Sequence, residues 1–327
     1  MRRVFLIMGV AALIVIMDRA LGAGFGWLYR KTHTGEFGGL INDALSRKTQ
    51  VLLLGSSRMR HHVMPAVLNS KLSLTAYNAG MDGQDFLYAM MLFDLWQRSN
   101  APPKAIVLNI DPESFERSEE ELQRAGVFSF YYDASPLVRQ VLNQRSRFEC
   151  LKFLSRAYRA NGKVLAIGWN LFSHPAANFD GFEPLTGCLS PQTPGAPRET
   201  IPTTTEFWSL KVQCFNRLAD YCRKHGTRLF LVEGPRYRED PRAHEARVNV
   251  LSKFLAGYPE AELIDLCTCT HPEVFQDKAE LFRDGTHLNA HGAEIFSTML
   301  AEALQTRLHS NGNLSDSSIT RTVTIAH

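Results

Sequence analysis

Net charge is nearly absent from this sequence: 36 Lys and Arg stand against 33 Asp and Glu, a formal +3 over 327 residues. A balance that small lacks the clustered basic surface on which nucleic-acid binding depends. Cysteine is sparse as well. Six in a chain this long do not build a disulfide scaffold, and their spacing does not suit zinc. One residue separates Cys267 from Cys269, and Cys150, Cys188, Cys214 and Cys222 are scattered. No internal repeat is present. What the chain has is apolar surface: 45% of residues are hydrophobic and 21% charged, which excludes a disordered or fibrous protein.

The N-terminus carries the first positive signal. Met1-Arg2-Arg3 precede Val4 to Met17, fourteen residues without a polar side chain. Asp18 and Arg19 follow, then a mostly apolar stretch from Ala20 to Tyr29. Arginines before an apolar run form an export signal, and they hold the N-terminus in the cytoplasm. Fourteen helical residues span only about 21 Å of a roughly 30 Å hydrocarbon core. An anchor must therefore run on past Asp18, with Asp18 and Arg19 paired or near the interface. Ala20-Leu21-Gly22 offers the alternative of a cleaved signal. The reading adopted is an uncleaved signal anchor, a transmembrane helix over residues 1–30, with a juxtamembrane linker over 31–49 and the rest of the chain outside the cytoplasm.

Beyond the linker, short apolar runs recur at Gln50 to Leu54, Leu74 to Tyr77, Ala105 to Leu108, Arg228 to Val232 and Glu262 to Leu266. Runs of this kind suit strands buried on both faces. Helical periodicity fills the intervals at Gln84 to Arg98, Phe207 to His225, Arg242 to Tyr258 and Ala290 to Leu308, with Gly226 placed to end the second. The alternation predicts an α/β fold, three layers around a five-stranded parallel sheet, over residues 50–308. Residues 115–205 break it and read as one long insertion. Phe115 to Ile167 is helical in character, and Asn170 to Thr205 is rich in Pro, Gly and Thr, a lid, a binding loop or disorder. The polar end, 309–327, reads as a disordered tail.

Three strand ends carry chemistry. The first strand runs into Gly55-Ser56-Ser57-Arg58, where a serine behind a tight turn is placed as a nucleophile. Its hydroxyl needs a base. Asp284-Gly285-Thr286-His287-Leu288-Asn289, just before the last helix, supplies an imidazole and a carboxylate to orient it. Asn289 reads as the N-cap of that helix, and Asp284 has the alternative of bonding turn amides. After the second strand comes Tyr77-Asn78-Ala79-Gly80-Met81-Asp82-Gly83, where the Gly80 amide can join that of Ser57 around a developing oxyanion.

This ordered set resembles the SGNH (GDSL-like) hydrolase superfamily over roughly residues 50–305, and with the N-terminal anchor it looks like the membrane-anchored bacterial branch that works beside cell-envelope polysaccharide acylation. The resemblance implies a flavodoxin-like strand order, no cofactor, and a catalytic set of Ser57, Asp284 and His287. It also implies Gly80, Asn78, Asn109 and Asp111 as oxyanion or substrate-binding positions. The third-strand motif departs from the family's Gly-x-Asn-Asp: the chain reads Leu108-Asn109-Ile110-Asp111-Pro112-Glu113. A carboxylate facing an oxyanion opposes catalysis. Either Asp111 points elsewhere, or Asn109 substitutes, or two backbone donors suffice.

The function expected from the resemblance is a serine esterase or O-acyltransferase, anchored in a bacterial inner membrane, that acts on acyl esters of envelope or exported polysaccharide. A membrane acyl-donor partner goes with that reading. The alternative is an SGNH-like domain that binds glycan or a partner without catalysis. His61, His62, His287 and His291 lack the spacing for a metal site. His61 and His62 read as solvated or satisfied, and Arg58 as a surface residue, with contact to a carbohydrate or phosphate group as its alternative. Glu233 to Tyr237 either borders the site or is a plain loop. Trp169 and Trp208 belong to sugar stacking or to the core.

Overall fold

Apolar runs without alternation become the strands of a single parallel sheet, because both of its faces are covered. The computed structural model describes residues 1–33, 35–172, 179–192 and 207–310. Strands β1 (Val51–Leu54), β2 (Ala76–Asn78), β3 (Ala105–Asn109), β4 (Arg228–Glu233) and β5 (Ala261–Asp265) lie in the order β2-β1-β3-β4-β5, all parallel. That is the flavodoxin-like order. Leu52 stands opposite both Tyr77 and Ile106, and Leu108 opposite Leu231.

The helices, in chain order, are α1 (Arg2–Lys31), α2 (Leu40–Ser46), α3 (Ser57–His62), α4 (Pro65–Leu72), α5 (Phe86–Trp96), α6 (Glu119–Arg124) and α7 (Pro136–Asn143). Then follow α8 (Glu149–Lys152), α9 (Val164–Phe172), α10 (Ser209–His225), α11 (Pro241–Leu255), α12 (Pro272–Phe275) and α13 (Ala290–Ser310). Val51, Leu53, Val107 and Phe230 point to one face of the sheet and pack with α3, α4 and α13. Leu52, Leu54, Ile106 and Leu231 point to the other and pack with α2, α5 and α10. Three layers result. Apart from Asp94, α5 is apolar all round and buried accordingly. Gly226 ends α10 at φ +66°, the left-handed position its sequence context predicts.

The stretch 31–49, expected as a linker, folds instead. In α2, Ile41 and Ala44 enter the core. Asn42 Nδ2 donates to the carbonyls of Tyr29 (2.7 Å) and Thr32 (2.9 Å), and the Tyr77 hydroxyl donates to Asp43 (2.8 Å). These polar residues of the expected linker tie α1 and the sheet together. Phe115 to Ile167, expected to be helical, does form short helices, and Phe128, Val138, Val141 and Leu142 join the core around α5. The remainder of the expected insertion is described only at 179–192, and the tail beyond Ser310 lies outside the described residues.

The first helix has two halves. Val4 to Met17 is exposed, and with a mean hydropathy of 2.3 over its most apolar stretch α1 is long and apolar enough to cross a membrane, as a signal sequence also is. From Asp18 onward it docks. Arg156 and Ala157 amides (2.9 and 3.0 Å) and the Ser155 hydroxyl donate to Asp18, and Arg19 donates to the Leu154 carbonyl (2.9 Å). Gly22 makes the contact possible, since a Cβ there would lie 2.3 Å from Arg156 Cβ and 2.6 Å from its carbonyl carbon. Gly22→Leu is therefore expected to push α1 off the turn Ala157–Ala160 and destabilise the protein by about 1–3 kcal/mol or more, read as a lower thermal midpoint. An unchanged midpoint would show that the docking contributes nothing.

Candidate active site

The site forms where β1 ends. Gly55, at φ +151°, turns the chain, and its missing side chain allows the close approach of Asn109. Ser56 caps α3, its Oγ accepting from the Arg58 amide (3.3 Å), so Ser57 becomes the first helical residue. Ser57 Oγ lies 2.8 Å from His287 Nε2. On the other side of the ring, His287 Nδ1 lies 2.9 and 3.0 Å from the two Asp284 oxygens. A carboxylate accepting at Nδ1 places the ring proton there and leaves the Nε2 lone pair to the serine hydroxyl. The order Ser57–His287–Asp284 thus spans a sequence separation of 230 residues through side-chain hydrogen bonds.

Asp284 fills both of its expected roles at once. Its Oδ1 also accepts from the amides of Thr286 and His287, each at 2.9 Å. Burial works against ionisation, but these amides and the imidazole outweigh it and hold the carboxyl below its usual range. Asn289 accepts from the Gly292 amide (3.0 Å), the expected start of α13. His62 fastens the same loop: its Nε2 accepts from the Leu288 amide (3.1 Å). Burial, then the nearby positive charge of Arg58, pushes the His62 pKa well below the usual histidine value, so it stays a neutral acceptor. His61 is also buried, between the Glu183 carbonyl (2.7 Å) and Asp82 (2.9 Å).

The positions expected around the oxyanion behave differently. Asn78 is buried, its Nδ2 donating to the Met59 and Val63 carbonyls at 2.7 and 2.8 Å, while its Oδ1 accepts from the Gly80 amide at 3.0 Å. It clamps the end of α3 and engages the N–H that Gly80 was expected to offer. Gly80 itself lets its turn sit against the nucleophile strand end, where a Cβ would be 2.6 Å from the Arg60 nitrogen. Asn109 points inward, donating to Val232 (3.0 Å) and accepting from Ser56 (3.3 Å).

Asp111 points elsewhere too, into an ion pair with Arg58 and another with Arg236 (2.7 Å). Burial opposes its charge, but Arg58, Arg236 and Arg247 prevail and lower its pKa. Arg58 is consequently buried rather than at the surface, because a carboxylate at the end of β3 requires a counter-charge. Behind it the charges continue. Arg236 pairs with Glu239 (3.3 Å), Glu239 with Arg247, and Glu233, fully buried, has its pKa pushed well up by burial and then by Asp111. Glu233 to Tyr237 thus borders the site. The sequence held no local sign of Glu239 or Arg247. A cavity of about 290 Å³ opens beside Ser57, lined also by Arg58, Gln84, Asp85 and Asp111.

At the far edge of the sheet, His244 Nε2 lies 2.9 Å from Asp265. The Asp265 hydrogen bond raises the His244 pKa against burial and Arg247, with Glu239 adding to the rise. A pKa raised by folding stabilises fully below the unfolded value of about 6.5, and the contribution fades as pH rises through the folded value. His244→Gln is therefore expected to lower the thermal midpoint more at pH 6 than at pH 8. An equal drop at both would show that the pair does not titrate as described.

No family model matches the chain, and no curated protein matches it. Among solved structures, that of a candidate platelet activating factor from Streptococcus pneumonia aligns over 91% of this chain and 98% of its own, at 12% identity and a TM-score of 0.40. A likeness that distant carries no argument about function. Trp208 rests half-buried against the core, and Trp169 is exposed and does not line the cavity beside Ser57.

Proposed function

We propose that this protein is a membrane-anchored serine esterase or O-acyltransferase of the SGNH type, exported and acting on acyl esters of cell-envelope or exported polysaccharide. One observation carries the reading: the hydrogen-bonded chain from Ser57 through His287 to Asp284, at 2.8 and 2.9 Å. In the first step Ser57 Oγ attacks the acyl carbonyl while His287 Nε2 takes the hydroxyl proton. Asp284 steadies the imidazolium that forms. The tetrahedral oxyanion meets the Ser57 amide, and Arg58, which lines the same cavity, sets a positive charge beside it. Collapse expels the alcohol, protonated by His287, and leaves acyl–Ser57. Water or a sugar hydroxyl then attacks, with His287 as base again, and the serine is released.

The competing reading, a glycan- or partner-binding domain without catalysis, draws on the engagement of Gly80, Asn78 and Asn109 inside the protein. An acyl-enzyme separates the two. Incubating the full-length protein with p-nitrophenyl acetate is expected to add one acetyl group to the peptide containing Ser57 and none to Ser57→Ala. Absence of label, in a folded protein, would leave the binding reading in place.

A further inference from the structure

The apolar surface of α1 does not stop where the helix meets the domain. Leu151 and Leu154, on α8 and just after it, are exposed, and so are Leu165 (89%) and Phe172 (88%) of α9. These elements are the ones that hold α1: Leu154 accepts from Arg19, and Ser155, Arg156 and Ala157 donate to Asp18. Leu151 and Leu165 share with Phe25 of α1 the lining of an open cavity of about 750 Å³. Exposed apolar side chains thus stand both on the first half of α1 and on the side of the domain that holds it.

Length decides what covers it. The apolar run Val4 to Met17 reaches about 21 Å, and a hydrocarbon core of about 30 Å requires roughly six residues more, to the level of Ala23. Those six residues include Asp18, Arg19 and Gly22, the ones the domain grips. The helix cannot carry them to acyl-chain depth without taking Leu151, Leu154 and Leu165 along. Asp18 tolerates that depth because the Ser155 hydroxyl, two amides and Arg19 (3.6 Å) answer its carboxylate inside the protein. Lys152, in the same cavity, is tied to Glu149 at 3.0 Å. From these contacts we infer that the face centred on Leu151, Leu154 and Leu165 is immersed in the leaflet on the domain's side. Lipid is its occupant, and the domain enters the membrane with its anchor instead of hanging from it. The inference rests on α1 spanning the bilayer.

Spin labels test both levels separately. The full-length chain, with the exposed Cys150 and Cys188 changed to serine, is placed in nanodiscs of phosphatidylcholine and phosphatidylglycerol. It carries one label at a time at Val10→Cys, Leu154→Cys, Leu165→Cys or the exposed Glu302→Cys. Relative accessibility to oxygen over a water-soluble nickel complex is expected to be severalfold higher at 10, 154 and 165 than at 302. A high ratio at 10 with aqueous values at 154 and 165 overturns the inference while leaving the anchor intact. Aqueous values at 10 as well overturn the anchor and this inference together. Exclusion of both reagents at 154 and 165, with immobilised spectra, means that protein covers the face instead of lipid, and also overturns it.

Discussion

Ester turnover by Ser57→Ala is expected to fall by about 10⁴-fold or more, His287→Ala to fall by a similar factor, and the double variant to fall no further. The non-additivity is the informative part. Ser57 and His287 share one hydrogen bond of 2.8 Å, so once either is gone the other has no proton to give or take. Two independent contributors would multiply their losses. Asp284→Asn belongs to the same unit: an amide that donates to Nδ1 reverses the tautomer and leaves Nε2 protonated, unable to act as base. Steady-state kinetics on p-nitrophenyl acetate, with folding followed by circular dichroism, read these effects. Turnover in Ser57→Ala within tenfold of the unsubstituted protein would place the chemistry elsewhere.

Asp111→Asn introduces the asparagine that the SGNH resemblance would lead one to expect there, yet it is expected to harm. Arg58 and Arg236, with side chains 10% and 8% exposed, both answer the Asp111 carboxylate. Removing one member of a buried ionic cluster costs about 3–5 kcal/mol, because the charges left behind remain out of water. Glu233 limits the loss to the lower end of that range. It lies 3.7 Å from Arg236, and its pKa, pushed well up by burial and then by Asp111, comes down in the variant, so it answers Arg236 in part. Arg58 loses the carboxylate it is ion-paired with and the hold that pair gives it beside Ser57, so kcat falls with stability. Urea midpoints and turnover measured together test this. A variant as stable as the parent and faster would show that the cluster is dispensable and that the asparagine position holds the oxyanion.

Both results follow from how the site divides between chain and fold. The strands were legible because a doubly covered parallel sheet turns each into an unbroken apolar run, as in Val51–Leu54 and Ala105–Asn109. The catalytic candidates were legible for a related reason. Ser57 and the Asp284–His287 pair each sit in a short segment at a strand end or before a helix, where local sequence fixes the backbone. Their convergence at 2.8 Å is a consequence of strand order.

What the sequence determined by itself, then, is the α/β alternation, the apolar N-terminal helix and the candidates for acyl chemistry, since each depends on neighbours a few positions away. The tertiary structure alone decided how buried polar groups found partners. Asn78, Gly80 and Asn109 looked outward in the sequence and bond inward in the fold; Arg58 looked exposed and lies beneath the site. The gripping of Asp18 by residues 155–157 belongs with these. A buried donor, acceptor or charge must be satisfied by whatever the packing brings near, and with partners 15 to 139 residues away for Asn78, Asn109, Arg58 and Asp18 no local pattern records the choice.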